Sequence, residues 1–174
     1  MKNKETLFRE LLEKHDTRIR NICRYYGRDK DFQDDLYQEV AMHIWKGMDS
    51  FRGDAQWGTW IYRVAMNTVM GAAGKELHHR KINMMQSSPD VLLQFVDEPP
   101  QDIYPEEVYQ WLEMEINQLN IIDRALVVLF LEGVSGKEIA SVVGLTEPNV
   151  RVKLHRIKEQ LAQVLNVKMQ EYGK

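Results

Sequence analysis

The stretch Val134–Leu161, VSGKEIASVVGLTEPNVRVKLHRIKEQL, decides how this chain folds. Ile139, Ala140 and Val143 put an apolar stripe on a short first helix, and Val150, Leu154, Ile157 and Leu161 recur four, three and four residues apart on a longer second one. Gly144 sits where the chain must reverse, because a residue without Cβ reaches positive φ there without steric penalty. Leu145 plugs the corner. Thr146 is placed to cap the second helix, and Pro148 falls in its first turn, where a missing N–H does no harm. Two helices whose stripes meet across a glycine turn make a helix-turn-helix.

The side of the second helix away from that stripe carries Asn149, Lys153 and Arg156, which lie about 100° round from the apolar residues, with Arg151 and His155 beside them. Such a helix can enter the major groove, where Arg or Lys reads guanine and Asn reads adenine. A solvated basic face on an ordinary helical hairpin is the plainer reading; the coincidence of turn glycine and cations favours DNA.

The remaining composition sets bounds. With 174 residues the chain makes one ordinary domain or two small ones, and a hydrophobic content of 44% suffices for a core. A formal charge of −3 means that any basic surface is local. The single Cys23 excludes an internal disulfide and a multi-cysteine zinc site, and fits a small core residue in a reducing compartment. The opening MKNKETLFRELLEKHD has no signal-peptide core, and no apolar run approaches the roughly 20 residues that span a bilayer. A cytoplasmic protein without direct membrane insertion is expected.

Toward the N-terminus, Leu7, Leu11, Leu12, Ile19, Ile22 and Cys23 mark a helix to about Tyr26, ended by Gly27 and the run RDKD. A second helix is expected from Phe32, with Leu36, Val40, Ile44 and Met48 in four-residue steps, Trp45 widening the stripe, and Asp34, Asp35, Gln38 and Glu39 on the other side. Those carboxylates suit a solvated or partner-facing surface better than a metal site, since no further ligand set joins them. After the loop DSFRGDA, with Gly53 as breaker, a third helix runs from about Gln56 to Met70. It holds Trp57, Trp60 and Tyr62 with Arg63 and Asn67 interleaved. Either all three aromatics serve the core, which the residues alone favour, or some stay exposed as stacking surfaces for unpaired bases.

Gly71–Lys81, GAAGKELHHRK, reads as glycine-broken and then basic, with His78 and His79 as surface residues. The acidic, proline-containing stretch that follows reads as a flexible linker. Beyond Pro105, Val108, Trp111, Leu112 and Ile116 begin one helix, and Ala125, Leu126, Leu129 and Phe130 form another that packs under the helix-turn-helix. The fold class expected is therefore all-α: two small helical domains, 1–81 and 105–174, joined by a linker over 82–104. No alternating strand pattern, phosphate loop or catalytic triad stands out, and no cofactor, metal or enzymatic activity is expected.

Two segments carry a family resemblance. Asp34–Asn67, DDLYQEVAMHIWKGMDSFRGDAQWGTWIYRVAMN, looks like region two of the sigma-70 family of bacterial transcription initiation factors, in its small extracytoplasmic-function (ECF) form; Asp123–Leu161 resembles region four. The resemblance implies an RNA polymerase sigma factor that binds core polymerase and directs promoter recognition and opening. It further implies that Asp35, Gln38 and Glu39 face core polymerase. Trp57, Trp60, Arg63 and Asn67 would melt the −10 element and capture a flipped base, while Asn149, Arg151, Lys153 and Arg156 would bind the −35 element. The surface around Leu126, Leu129 and Phe130 either touches the polymerase flap or is buried in its own domain. The implied partners are core polymerase, promoter DNA and an anti-sigma factor.

Three departures stand out: TVMGAAGK follows Asn67 where the family has an acid and arginines, Leu119–Asn120 replaces a Leu–Pro before region four, and Val152 replaces a small polar residue between two cations. A LuxR-like helix-turn-helix regulator would explain Val134–Leu161 but not the aromatic helix. A helical metal-dependent hydrolase built on Asp34, Asp35 and Glu39 lacks visible further ligands.

Overall fold

The computed structural model describes residues 3–83 and 106–172, with side chains over 3–74 and 107–170; the expected linker falls almost wholly outside these residues. The chain divides into two compact units, Met1–Gln94 and Phe95–Lys174. Among the described residues every regular element is helical.

In the first unit α1 spans Lys4–Tyr26, α2 Lys30–Gly47 and α3 Trp57–Asn83, and each packs on the other two. The side chain of Asn3 caps α1, and burial of Leu11, Ile19, Ile22, Cys23 and Tyr26 fixes its inner face. Gly27 ends it by close approach rather than by unusual backbone, since a Cβ there would lie 2.4 Å from Gln33 Cγ. Asp29 accepts the Phe32 N–H at 2.8 Å, so α2 begins two residues earlier than its apolar stripe. Leu36, Val40, Ile44 and Met48 are all buried, as their four-residue spacing requires. Ile61, Tyr62, Ala65, Met66 and Val69 answer them from α3.

The expected glycine break after Met70 does not occur: α3 continues through Gly71 and Gly74 to Asn83. Each glycine costs a helix about 1 kcal/mol relative to alanine. The neighbouring Ala72, Ala73, Lys75, Glu76 and Leu77 are good helix formers, so that cost does not end the helix.

The second unit contains α4 (Glu106–Gln118), α5 (Ile121–Leu131), α6 (Gly136–Val143) and α7 (Glu147–Tyr172). Asn120, part of the departure from a Leu–Pro pair, starts α5 by accepting the N–H groups of Ile122 and Asp123 at 3.2 and 3.0 Å. Ala125 to Leu129 are buried without interruption, whereas Phe130, for which the sequence left both burial and an outward surface open, is exposed beneath the Lys158 ammonium at 3.7 Å. Ser135 and Glu138 form a capping box at the start of α6. Gly144 adopts φ 74°, and the N–H groups of Gly144 and Leu145 both donate to Ala140 O at 3.0 Å. This left-handed corner orients α7 against α6. Val142, not Val143, is the residue that α6 buries near the corner.

Candidate nucleic-acid interface

The outer face of α7 follows from its buried one. Val150, Leu154, Ile157 and Leu161 are all in the core, and the N–H of Asn149 donates to Thr146 Oγ1 at 3.4 Å, which holds the first turn. Asn149 and Arg156 are exposed on the side foreseen from spacing. Lys153 shares that side, but its ammonium donates to Asp123 Oδ1 on α5 at 2.9 Å and is half-buried. Asp123 is itself held by Asn120 Nδ2 at 2.7 Å, so the start of α5 is tied to the second turn of α7.

Arg151 does not join the other three. At 100° per residue it lies on the opposite flank of the buried stripe, 3.4 Å from Glu147 and beside a groove lined by Phe130, Val134, Leu154, His155 and Lys158. Val152 is 51% exposed on the outermost line of the helix. Of the surface around Leu126, Leu129 and Phe130, the two leucines are fully buried and only Phe130 is accessible.

In the first unit the aromatic residues divide. Tyr62 is core, whereas Trp57 and Trp60 are only partly covered. They belong to a cluster that includes Phe51, a residue the spacing argument missed: Phe51 stacks on Trp57 with centroids 3.8 Å apart, meets Trp60 edge-on at 5.5 Å, and the two indoles stand at 88° to each other. An aromatic side chain in the polar loop just before an aromatic helix was the available signal. Trp60 rests against Gly47, where a Cβ would lie 2.8 Å from Cζ2. One and two turns further along α3 from Trp60, Arg63 is half-buried and Asn67 exposed on the same side.

Beneath this surface Tyr62 is fixed by two partners. Arg18 donates to the phenol oxygen at 2.7 Å, and His15 Nδ1 lies 2.8 Å from it. Burial, then the charges of Lys14 and Arg18, hold the His15 pKa below its ordinary value and favour the neutral ring. Burial pushes the Cys23 thiol up to about 12, which leaves it an inert core residue.

On α2, Asp35 and Gln38 are exposed and Glu39 half-buried along one face, while Asp34 is 3.5 Å from Lys30. Met42 and Trp45, 44% and 37% exposed, extend the Asp35–Gln38 face. Trp45, expected to widen the buried stripe, instead packs edge-on against Phe8 with Lys4 over its ring. Among the described residues no group of three or more His, Cys, Asp or Glu is placed to hold a metal ion, and no helix is long and apolar enough to cross a membrane.

Residues 11–74 match the model of sigma-70 region 2, and residues 109–161 match that of sigma-70 region 4. The chain belongs to the sigma-70 family, in its ECF form. Relatives include the RNA polymerase sigma-H factor of Pseudomonas aeruginosa, 25% identical over 168 residues covering 92% of this chain and 87% of that one. The ECF RNA polymerase sigma-E factor of Escherichia coli K12 is 25% identical over 167 residues, with the same coverage of each chain. Among solved structures, the sigma factor RpoE in complex with the anti-sigma factor NepR from Bartonella quintana superposes with a TM-score of 0.73 at 18% identity, covering 92% of this chain and 97% of that one. CnrH in complex with the cytosolic domain of CnrY gives 0.65 at 19%, covering 94% and 90%. As a sigma factor the protein directs RNA polymerase to promoters in transcription initiation. The region 2 match disfavours a free-standing LuxR-like regulator, which has no use for the aromatic helix.

Proposed function

We propose that the two units of this sigma factor grip the promoter at two points, with residues 1–81 acting on core polymerase and the −10 element and 105–174 on the −35 element. The observation that carries this reading is the half-exposed Phe51–Trp57–Trp60 cluster, continued along α3 by Arg63 and Asn67. A single base offered to it finds an aromatic wall, a guanidinium and an amide. Stacking on such a surface offsets the few kcal/mol of unstacking a base from the duplex. Asn149 and Arg156 face the major groove and its phosphates, with Lys153 between them held in reserve by Asp123 and Arg151 reaching phosphate from the flank. Asp35, Gln38 and Glu39, grouped around exposed Met42, form the polymerase-facing surface. Acids and a flexible apolar side chain together suit a basic partner with an apolar centre.

The protein acts as a non-enzymatic specificity subunit in the bacterial cytoplasm. An anti-sigma factor is a natural partner, since RpoE is solved with one and CnrH with the cytosolic domain of CnrY. The test is reconstitution with core polymerase on a cognate promoter. Asn67→Ala should leave holoenzyme formation and duplex binding intact and reduce permanganate reactivity of thymines near the start site. Undiminished reactivity would remove Asn67 from promoter opening, and failure of the wild-type protein to bind core would defeat the whole reading.

A further inference from the structure

Val152 is the one large apolar side chain among Pro148, Asn149, His155, Arg156 and Glu159, the residues nearest it on the outward line of α7. It is 51% exposed, in the second turn of the helix, where a helix-turn-helix brings side chains to base edges. Asn149 and Arg156 lie within about 60° of it on either end, so a duplex held by those two polar groups covers the valine as well. Its isopropyl group can neither donate nor accept a hydrogen bond. Set against guanine O6 and N7, adenine N6 or cytosine N4, it would strip water from those atoms and return nothing. The major groove offers one apolar group, the thymine 5-methyl.

We propose that Val152 is a specificity-determining residue that selects thymine in the −35 element by packing on its 5-methyl group. The inference rests on the proposed placement of α7 in the −35 major groove. It separates the residue from Arg156, whose guanidinium serves phosphate or guanine, and gives the apolar substitution between two cations a chemical purpose.

The test uses holoenzyme reconstituted from core polymerase and the full chain, with a promoter duplex selected from a random pool by the wild-type holoenzyme. Each thymine of the −35 element is replaced in turn by deoxyuridine, which removes the methyl alone. At one thymine the replacement should weaken wild-type binding about threefold to fourfold, the value of one buried methyl-sized group. The same replacement should cost Val152→Ala holoenzyme almost nothing, whereas Val152→Ile should keep the discrimination. Val152 is exposed, so Val152→Ala should fold and bind core normally, which holoenzyme gel filtration checks. If no uracil replacement matters, if the element selected contains no thymine, or if the loss persists in Val152→Ala, the inference is overturned while α7 keeps its groove. If scrambling the entire −35 element leaves wild-type binding unchanged, the placement of α7 itself fails and the inference with it.

Discussion

Replacing Asp123 by asparagine should strengthen promoter binding by releasing Lys153. In the native protein the lysine ammonium is held 2.9 Å from the Asp123 carboxylate, whose side chain is 19% exposed against 43% for the lysine. Asparagine preserves the shape and can still receive Asn120 Nδ2, so the start of α5 should persist. The loss of a partly exposed pair costs about 0.5–1 kcal/mol of stability, and the loss of a first-turn acid adds about 0.3–1 kcal/mol. A freed Lys153 lies on the same side as Asn149 and Arg156 and gains a phosphate. One added phosphate contact steepens the dependence of log affinity on log salt by about 0.9, so the variant's advantage should grow about 3.5-fold between 200 and 50 mM salt. Fluorescence anisotropy of holoenzyme on a promoter duplex across a salt series measures this. Removing an acid near DNA also helps non-specifically, so Asp123→Asn combined with Lys153→Ala is the control, and it should return the slope to its native value or below. An unchanged slope in Asp123→Asn would refute the reasoning and leave Lys153 as a structural cation only.

Gly47→Ala forces a Cβ to within 2.8 Å of Trp60 Cζ2; the indole must move, tryptophan emission should shift, and promoter opening should fall while core binding persists. Unaltered emission would contradict the packing described. Gly71→Ala and Gly74→Ala, where an added Cβ meets nothing within 4 Å, should each raise stability by about 0.5–1 kcal/mol in urea titration. The neutral His15 contributes stability that is fully present above its ordinary pKa of 6.5 and is lost as pH falls from there through the depressed value of the folded state, because the unfolded chain then binds the extra proton. Thermal melts between about pH 7.5 and pH 5 should show this loss, and His15→Gln should flatten it.

Much of this was legible in the sequence because helical packing writes itself at intervals of three and four. The stripes Leu36–Met48 and Val150–Leu161 are buried as spaced, and Gly144 takes the positive φ that the turn demanded. The misses have different causes. Glycine was read as a stop after Met70, where its helical cost was too small to act as one. Trp45 adjoins the buried stripe by spacing, although its face is decided by Phe8 and Lys4, which are distant in sequence. The partnership of Lys153 with Asp123 spans thirty residues and has no local signature at all. Phe51 differs: an aromatic ring in a polar loop is a local sign, but only the path of the loop after α2 brings it onto Trp57.

The helix pairs that pack most closely all join members of the same unit: α1 with α2 and α3, and α4 to α7 among themselves. Order along the chain is therefore also order of assembly. By the time α4 leaves the ribosome, the three helices of the first unit have every packing partner they need, and contacts this local form quickly. The finished protein should unfold in two steps, so a single melting temperature describes neither half. A lesion such as a lost Asn120 cap should weaken its own half by about 1 kcal/mol and leave the stability of the other unchanged, so that heating opens one half of the molecule before the other.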